Sequence, residues 1–166
     1  IQRIEVWITN RTGATTDARD IVGLADLGEI QPANNGVTPL TNDAKPDNGT
    51  NNLFTNVKNY RAPSQVTSQL QGLGLRPVDD FEKTYARKLT TNEYYFNPQI
   101  GFMSINTQLQ PDEVLAVAYQ YTYNGKVYQV GEFSQDIALD STQGVQKVLY
   151  LKLLKATSAR TSLPIW

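Results

Sequence analysis

VLAVAYQYTYNGKVYQVGEF, residues 114–133, is the stretch that decides the fold. Two runs of β-branched and aromatic residues flank Asn124-Gly125, the strongest short-range signal for a β-hairpin with a type I′ turn. A two-residue loop fixes the register and places four residues in facing pairs beside the turn: Tyr121 with Tyr128, and Tyr123 with Lys126. One face is then a ladder of tyrosine and valine, and such cross-strand pairs stabilise sheets. Because a lone hairpin is marginal in water, the chain must supply further strands.

The same register, continued away from the turn, predicts further facing pairs. It sets Val117 opposite Glu132 and Ala116 opposite Phe133. The spacing therefore predicts two long strands that stay paired with each other over most of their length.

Alternating or β-branched runs predict more strands on both sides of the hairpin. The predicted strands are residues 3–9, 21–27, 81–89, 94–96, 100–105 and 146–154. Helical spacing fits 81–89 as well as alternation does, and a helix is also an alternative for 146–154. Short helices are predicted within 52–59 and 63–71, where Pro63 suits a first helical position. Residues 28–50 are rich in proline, glycine and asparagine and predict a long polar loop.

The pattern as a whole predicts a mainly β protein. Seven or eight short strands, two short helices and long polar loops fit an antiparallel β-sandwich with Greek-key-like connections. An α+β sheet with helices on one face is the alternative. At 166 residues the chain fits one domain. The first residue is Ile1 and the last four are apolar, so we expect residues 1–166 to be a single soluble domain excised from a larger protein.

Composition excludes several classes of function. There is no cysteine and no histidine, which removes disulfides, Cys nucleophiles, the Ser-His-Asp triad and most transition-metal sites. Formal net charge is −1, which argues against nucleic acid as a partner, since nucleic acid requires a basic surface. We therefore expect a protein that is not an enzyme and that binds no metal or other cofactor.

Four stretches of the sequence resemble one family. They are IEVWITNRTGATTDARDIVGLADLGE (4–29), ARKLTTNEYYFNPQIGFMSIN (86–106), LQPDEVLAVAYQYTYNGKVYQVGEFS (109–134) and LYLKLLK (149–155). These stretches are similar to segments of the SprA (Sov) family, the very large outer-membrane proteins of gliding motility and type IX secretion. The similarity covers most of the chain outside residues 31–50 and 136–146.

The resemblance implies a role in protein transport. It implies a parent protein that forms a giant β-barrel translocon in the outer membrane, with this chain as one soluble segment on its periplasmic or extracellular face. The partners implied are other secretion-system subunits or cargo proteins. The family offers no catalytic motif to carry over. The function expected is that of a non-catalytic structural or interaction domain.

The hairpin tyrosines are the candidate interface. Tyrosine offers contact area with few rotatable bonds and is favoured at protein interfaces. The residues nearest the turn form the candidate set: Tyr121, Tyr123, Lys126 and Tyr128. The competing interpretation is that they only pack the sheet. The alternative function is a carbohydrate-binding β-sandwich module on the cell surface, with Trp7 and the hairpin tyrosines as stacking residues, although packing also explains a tryptophan within a strand.

Three weaker patterns have ordinary structural explanations. Acidic side chains at Asp79, Asp80, Glu82 and at Asp112-Glu113 could serve a carboxylate-only hydrolase, but exposed loop carboxylates are common. Oxygen ligands for Ca²⁺ could come from Asp43, Asp47, Asn48 and Asn52, although their spacing does not match the Ca²⁺-loop pattern. Asp140-Ser141-Thr142 resembles a short bacterial O-glycosylation motif.

Overall fold

A computed structural model describes residues 1–43, 45–138 and 146–157. The predicted O-glycosylation motif at 140–142 and the apolar end at 163–166 lie outside the described residues. Eight strands and two helices follow one another in these residues: β1 Arg3–Thr9, β2 Ala18–Leu24, α1 Leu53–Val57, α2 Val66–Gly72, β3 Phe81–Lys88, β4 Tyr94–Asn97, β5 Phe102–Ile105, β6 Leu115–Tyr123, β7 Lys126–Val130 and β8 Leu149–Lys155. The prediction of a mainly β fold with two short helices is confirmed, and residues 81–88 are strand rather than helix.

The six-stranded sheet has the order β1-β3-β2-β8-β6-β7. Strand β1 also pairs with β6, so β1, β3, β2, β8 and β6 form a closed ring. All pairings are antiparallel except β2 with β8. Strands β4 and β5 form a separate two-stranded sheet. The mainly antiparallel, sandwich-like fold is therefore stabilised by backbone hydrogen bonds around the whole ring as well as by packing.

The hairpin of β6 and β7 has the predicted register beside the turn. Tyr123 faces Lys126 and Tyr121 faces Tyr128. The φ angles of Asn124 and Gly125 are 50° and 78°, as a type I′ turn requires. The predicted long pairing is wrong further from the turn, because pairing ends at Tyr119 with Val130.

Beyond that point β8 replaces β7 beside β6. Val117 faces Lys152 rather than Glu132, and Ala116 faces Leu153 rather than Phe133. Gly131 turns the chain away from β6 with a φ of +80°, a conformation that glycine adopts without steric cost. The edge of β6 is thus shared by two strands, which alternation alone could not indicate.

The interior of the ring is filled by two large aromatic residues, Trp7 and Phe133, among small and aliphatic ones. Trp7 is 1% exposed and packs with a cluster of buried residues: Ile21, Ala86, Ala116, Ala118, Phe133, Leu149 and Leu151. Gly23 leaves room for Leu153, whose Cδ1 lies 3.0 Å from where a Cβ would stand. The alternation of apolar and polar residues in β1 is typical of a half-buried strand, but its centre is buried on both faces, because Val6 and Ile8 are covered from outside.

Two layers cover the outside of the ring. Helices α1 and α2 pack on β2, β8 and Val130 through a second apolar cluster. The hairpin of β4 and β5 covers Ile4, Ile8 and Val117 through a third apolar cluster.

Strand β2 ends at Leu24, three residues before its predicted end, because the carboxylate of Asp26 accepts bonds from the N–H groups of Ala33 and Asn34 and holds a turn there. None of the described helices could span a membrane.

Candidate interaction surface

The four candidate residues lie together at the turn end of the β6–β7 hairpin. The rings of Tyr121 and Tyr128 stack with centroids 5.1 Å apart and an angle of 14° between planes. Tyr119 continues the stack at 6.0 Å from Tyr121. The predicted tyrosine ladder is therefore present as a column of rings on one face. Packing explains Tyr128, which is 6% exposed, better than it explains Tyr123, which is 50% exposed.

A segment of the long loop, residues 45–49, lies against this column, and we call it the strap. The hydroxyl of Tyr121 donates a 2.6 Å hydrogen bond to the carbonyl oxygen of Pro46. The hydroxyl of Tyr128 donates a 2.9 Å bond to the carboxylate of Asp43, just before the strap. The ring faces of both tyrosines are taken by each other and their hydroxyls by the loop, so neither offers a free polar tip to a partner.

Two lysines border the column. The Lys45 ammonium lies 4.5 Å from the ring centroid of Tyr123, and the Lys126 ammonium 4.8 Å from that of Tyr128. Cation–π contacts at exposed sites are worth about 0.5–1 kcal/mol. Residues 122–127 at the hairpin end are all exposed, and the large side chains among them are those of Tyr123, Lys126 and Val127, the last of these 53% exposed.

The strap shifts the ionisation of the residues it touches. Burial, reinforced by the charge of Asp47, raises the pKa of Tyr121 to about 12. The pKa of Tyr128 is raised by burial and by its bond to Asp43. The pKa of Asp43 is lowered, first by the backbone N–H of Lys45 and then by the Tyr128 hydroxyl. At neutral pH both phenols are therefore protonated donors and Asp43 is an ionised acceptor.

A groove runs between the strap and the β4–β5 hairpin. One part, about 390 Å³, is lined by Lys45 and Pro46 on one side, Pro98 and Gln99 on the other, and Tyr121. A second part, about 300 Å³, is mostly apolar and its lining includes Met103, Val117 and Leu154. Tyr119 lines both parts. The side chains here are those of a contact surface, with no arrangement of nucleophile and base.

The predicted acidic clusters are tied to neighbours within the protein. Asp80 is buried and accepts from the Arg76 backbone and side chain, and Asp79 pairs with Arg76. Glu82 accepts from the N–H and hydroxyl of Thr157. Asp112 and Glu113 pair with Arg11. The expectation of solvated loop carboxylates is wrong for Asp80, Glu82 and Glu113, which are buried.

The four oxygen-bearing residues considered for Ca²⁺ face different partners. Asp43 meets Tyr128, Asp47 meets Gln129, Asn48 meets Gly131 and Asn52 meets Thr38. Within residues 1–43, 45–138 and 146–157 no three acidic side chains come together in a way that could hold a metal ion. Trp7, considered as a sugar-stacking residue, is buried inside the ring, so packing is its role.

Sequence reasoning missed two ion pairs that each have a buried member, Arg61 with Glu132 and Lys152 with Glu29. Arg61 makes two 2.6 Å bonds to Glu132, which also accepts the N–H of Tyr150. Lys152 is 6% exposed and bonds Glu29 at 2.6 Å. Burial lowers the pKa of Lys152 while Glu29 opposes that shift. These partners are far apart in sequence, and no local pattern indicates such pairs.

No protein-family model and no curated protein matches the chain.

Proposed function

We propose that this chain is a non-catalytic interaction domain of a type IX secretion and gliding motility translocon. The resemblance of four stretches to the SprA (Sov) family supports this proposal. The observation that carries the interaction role is the hairpin end, where Tyr123, Lys126 and Val127 remain exposed beside a rigid column of stacked rings. Pre-ordered aromatic and aliphatic side chains lose little entropy on binding.

The proposed mechanism is non-covalent. The closed ring of strands holds the hairpin in one orientation, and the hairpin end contacts another subunit or a passing cargo protein. Tyr123 and Lys126 would make the side-chain contacts, while Tyr121 and Tyr128 hold the hairpin against the strap. The proposed location is with the parent protein at the outer membrane.

The first experiment is an in-frame deletion of residues 1–166 from the full-length parent. We expect normal insertion of the parent into the outer membrane and loss of type IX cargo secretion. Unchanged secretion with normal parent levels would contradict the translocon role for this segment. Quantifying the parent in outer-membrane fractions separates a transport defect from loss of the protein.

A point variant tests the surface itself. The double substitution Tyr123→Ser with Lys126→Ser removes two exposed groups from the hairpin end and leaves the strap bonds of Tyr121 and Tyr128 in place. Tyr95→Ser is the matched control, because Tyr95 is comparably exposed at 56% but lies on the other hairpin. We expect reduced secretion and reduced cross-linking to partners for the double variant only. Equal effects of both variants would refute a specific role for the hairpin end.

A further inference from the structure

The outer edge of β7 carries backbone groups that would bond to another strand. In an antiparallel pair, N–H and C=O groups point alternately towards the partner and away from it. Gln129 and Gly131 direct theirs away from β6, because both residues bond to the strap instead. Val127 lies two residues before Gln129, so its N–H and C=O face the same edge.

The strap occupies this edge by imitating a strand. The carboxylate of Asp47 accepts the N–H of Gln129 at 2.9 Å, and the N–H of Asn48 donates to the carbonyl of Gln129 at 2.7 Å. The side-chain amide of Asn48 then accepts the N–H of Gly131 at 2.8 Å and donates to its carbonyl at 3.1 Å. The N–H and C=O groups of both Gln129 and Gly131 are therefore hydrogen-bonded. Asn48 serves both positions, Gln129 through its backbone and Gly131 through its side chain.

The strap stops short of the turn. None of the hydrogen bonds from the described strap residues reaches Val127, whose side chain is 53% exposed. Edge strands in natural proteins are usually blunted by charge, proline or a covering loop. Here the covering loop protects two of three outward positions and leaves the third open beside Tyr123 and Lys126.

We propose that the β7 edge is a strand-acceptor site, plugged by Asp47 and Asn48, that takes an extended segment of a partner protein. The segment would pair first at Val127 and then replace the strap at Gln129 and Gly131. Main-chain bonds would supply affinity and the exposed Tyr123 would contact alternate side chains of the segment. The inference deepens the proposed function, since it states how a partner would be held.

A second copy of this chain is a poorer occupant. Two β7 strands paired antiparallel about Val127 would set Gln129 of each copy opposite residue 125 of the other. The strap already fills the space beside Gln129. Self-pairing therefore requires two straps to move, whereas an extended segment requires only one to move.

The test uses Asn48→Ala, which removes both side-chain bonds to Gly131. Its matched control is Asn52→Ala, which removes an asparagine bond to Thr38 just before α1, away from β7. The probe is a peptide of about ten residues of alternating threonine and valine with terminal lysines, together with the same peptide N-methylated at alternate amides. We expect faster amide exchange at Gly131 and about tenfold tighter peptide binding for Asn48→Ala only, with no binding of the methylated peptide.

Val127→Pro provides a second variant that does not depend on disturbing the strap. Its N–H faces outward, so proline costs no bond to β6 and blocks pairing at the open position. We expect it to abolish peptide binding by the otherwise unmodified protein. Equal binding of both peptides, no binding to any variant, or concentration-dependent self-association of Asn48→Ala without peptide binding would each overturn the proposal. If the peptide experiments contradict strand addition while Tyr123→Ser with Lys126→Ser still weakens secretion, the hairpin end binds through side chains and only the strand-addition mode is wrong.

Discussion

The two hairpins of this molecule are held in place by different forces. The β6–β7 hairpin shares backbone bonds with β1 and β8, and the strap bonds to its outer edge. The β4–β5 hairpin is a sheet of its own, attached mainly through apolar side chains on its inner face. Its outer side leaves Tyr95, Ile100 and Phe102 exposed. The first hairpin is therefore fixed by many directional bonds, and the second by non-directional contacts on one face.

Glycine substitutions should give the largest contrast between the hairpins. A Cβ at Gly131 would lie 3.1 Å from both the Cα of Ala118 and the carbonyl oxygen of Val117, and φ there is +80°. Gly131→Ala should cost about 3 kcal/mol, since strain and backbone crowding add. Gly101→Ala, with φ of +70° and open space around it, should cost about 1 kcal/mol. Urea unfolding measures both, and equal costs would contradict the contrast.

Shortening an apolar side chain should give a smaller difference between the two hairpins in the free energy of unfolding than the glycine substitutions do. Val130 in β7 is fully buried and belongs to the helix-side cluster. Val130→Ala should cost about 2 kcal/mol in free energy of unfolding. Met103 in β5 is only partly buried against the third cluster, so Met103→Ala should cost about 1 kcal/mol. The opposite ranking in chemical unfolding would mean that the second hairpin is the better packed of the two.

Removing a tyrosine hydroxyl should change the free energy of unfolding least, and for Tyr121 the change should depend on pH. Tyr121→Phe loses the bond to Pro46 and should cost about 1 kcal/mol at pH 7. Tyr95→Phe, on the exposed outer side of β4, should stay within about 0.5 kcal/mol.

The raised pKa of Tyr121 gives the direction of the pH effect. The pKa is about 12 in the folded protein against 10 in the unfolded chain, so the contribution of this phenol is complete below pH 10 and is lost as pH rises through 12. The difference in free energy of unfolding between Tyr121→Phe and the unmodified protein should therefore be present at pH 8 and disappear as the pH is raised to between 11 and 12. A constant difference across that range would refute the assignment.

Local signals in the sequence predicted local structure well. Asn124-Gly125 fixed both the turn and the register beside it, because the φ requirement and the two-residue loop leave one solution. Alternation predicted all of β1, whereas at β3 helical spacing fitted equally well and only the structure shows a strand. These successes share a cause, since each depends on residues close together in the chain.

Non-local structure could not be predicted in the same way. The bond between the strap and Gln129 joins residues 82 apart, and Arg61 reaches Glu132 across 71 residues. The long polar loop gave only turn signals, so its packing on the tyrosine column was invisible to pattern reasoning. The candidate residues were consequently predicted as one surface, whereas the structure separates the covered Tyr121 and Tyr128 from the exposed Tyr123 and Lys126.

The parallel pairing of β2 with β8 has a consequence for how the chain acquires its fold. Ile21 faces Leu149, so an early strand receives its second neighbour only when the last described strand arrives. Folding rates fall as contacts become more distant in sequence, and this seam is among the most distant in the molecule. During synthesis, the edge of β2 that bonds to β8 would stay unpaired until nearly all of the described chain had been made. Closure of the ring by β8 is therefore a late step in the order of folding that this topology favours.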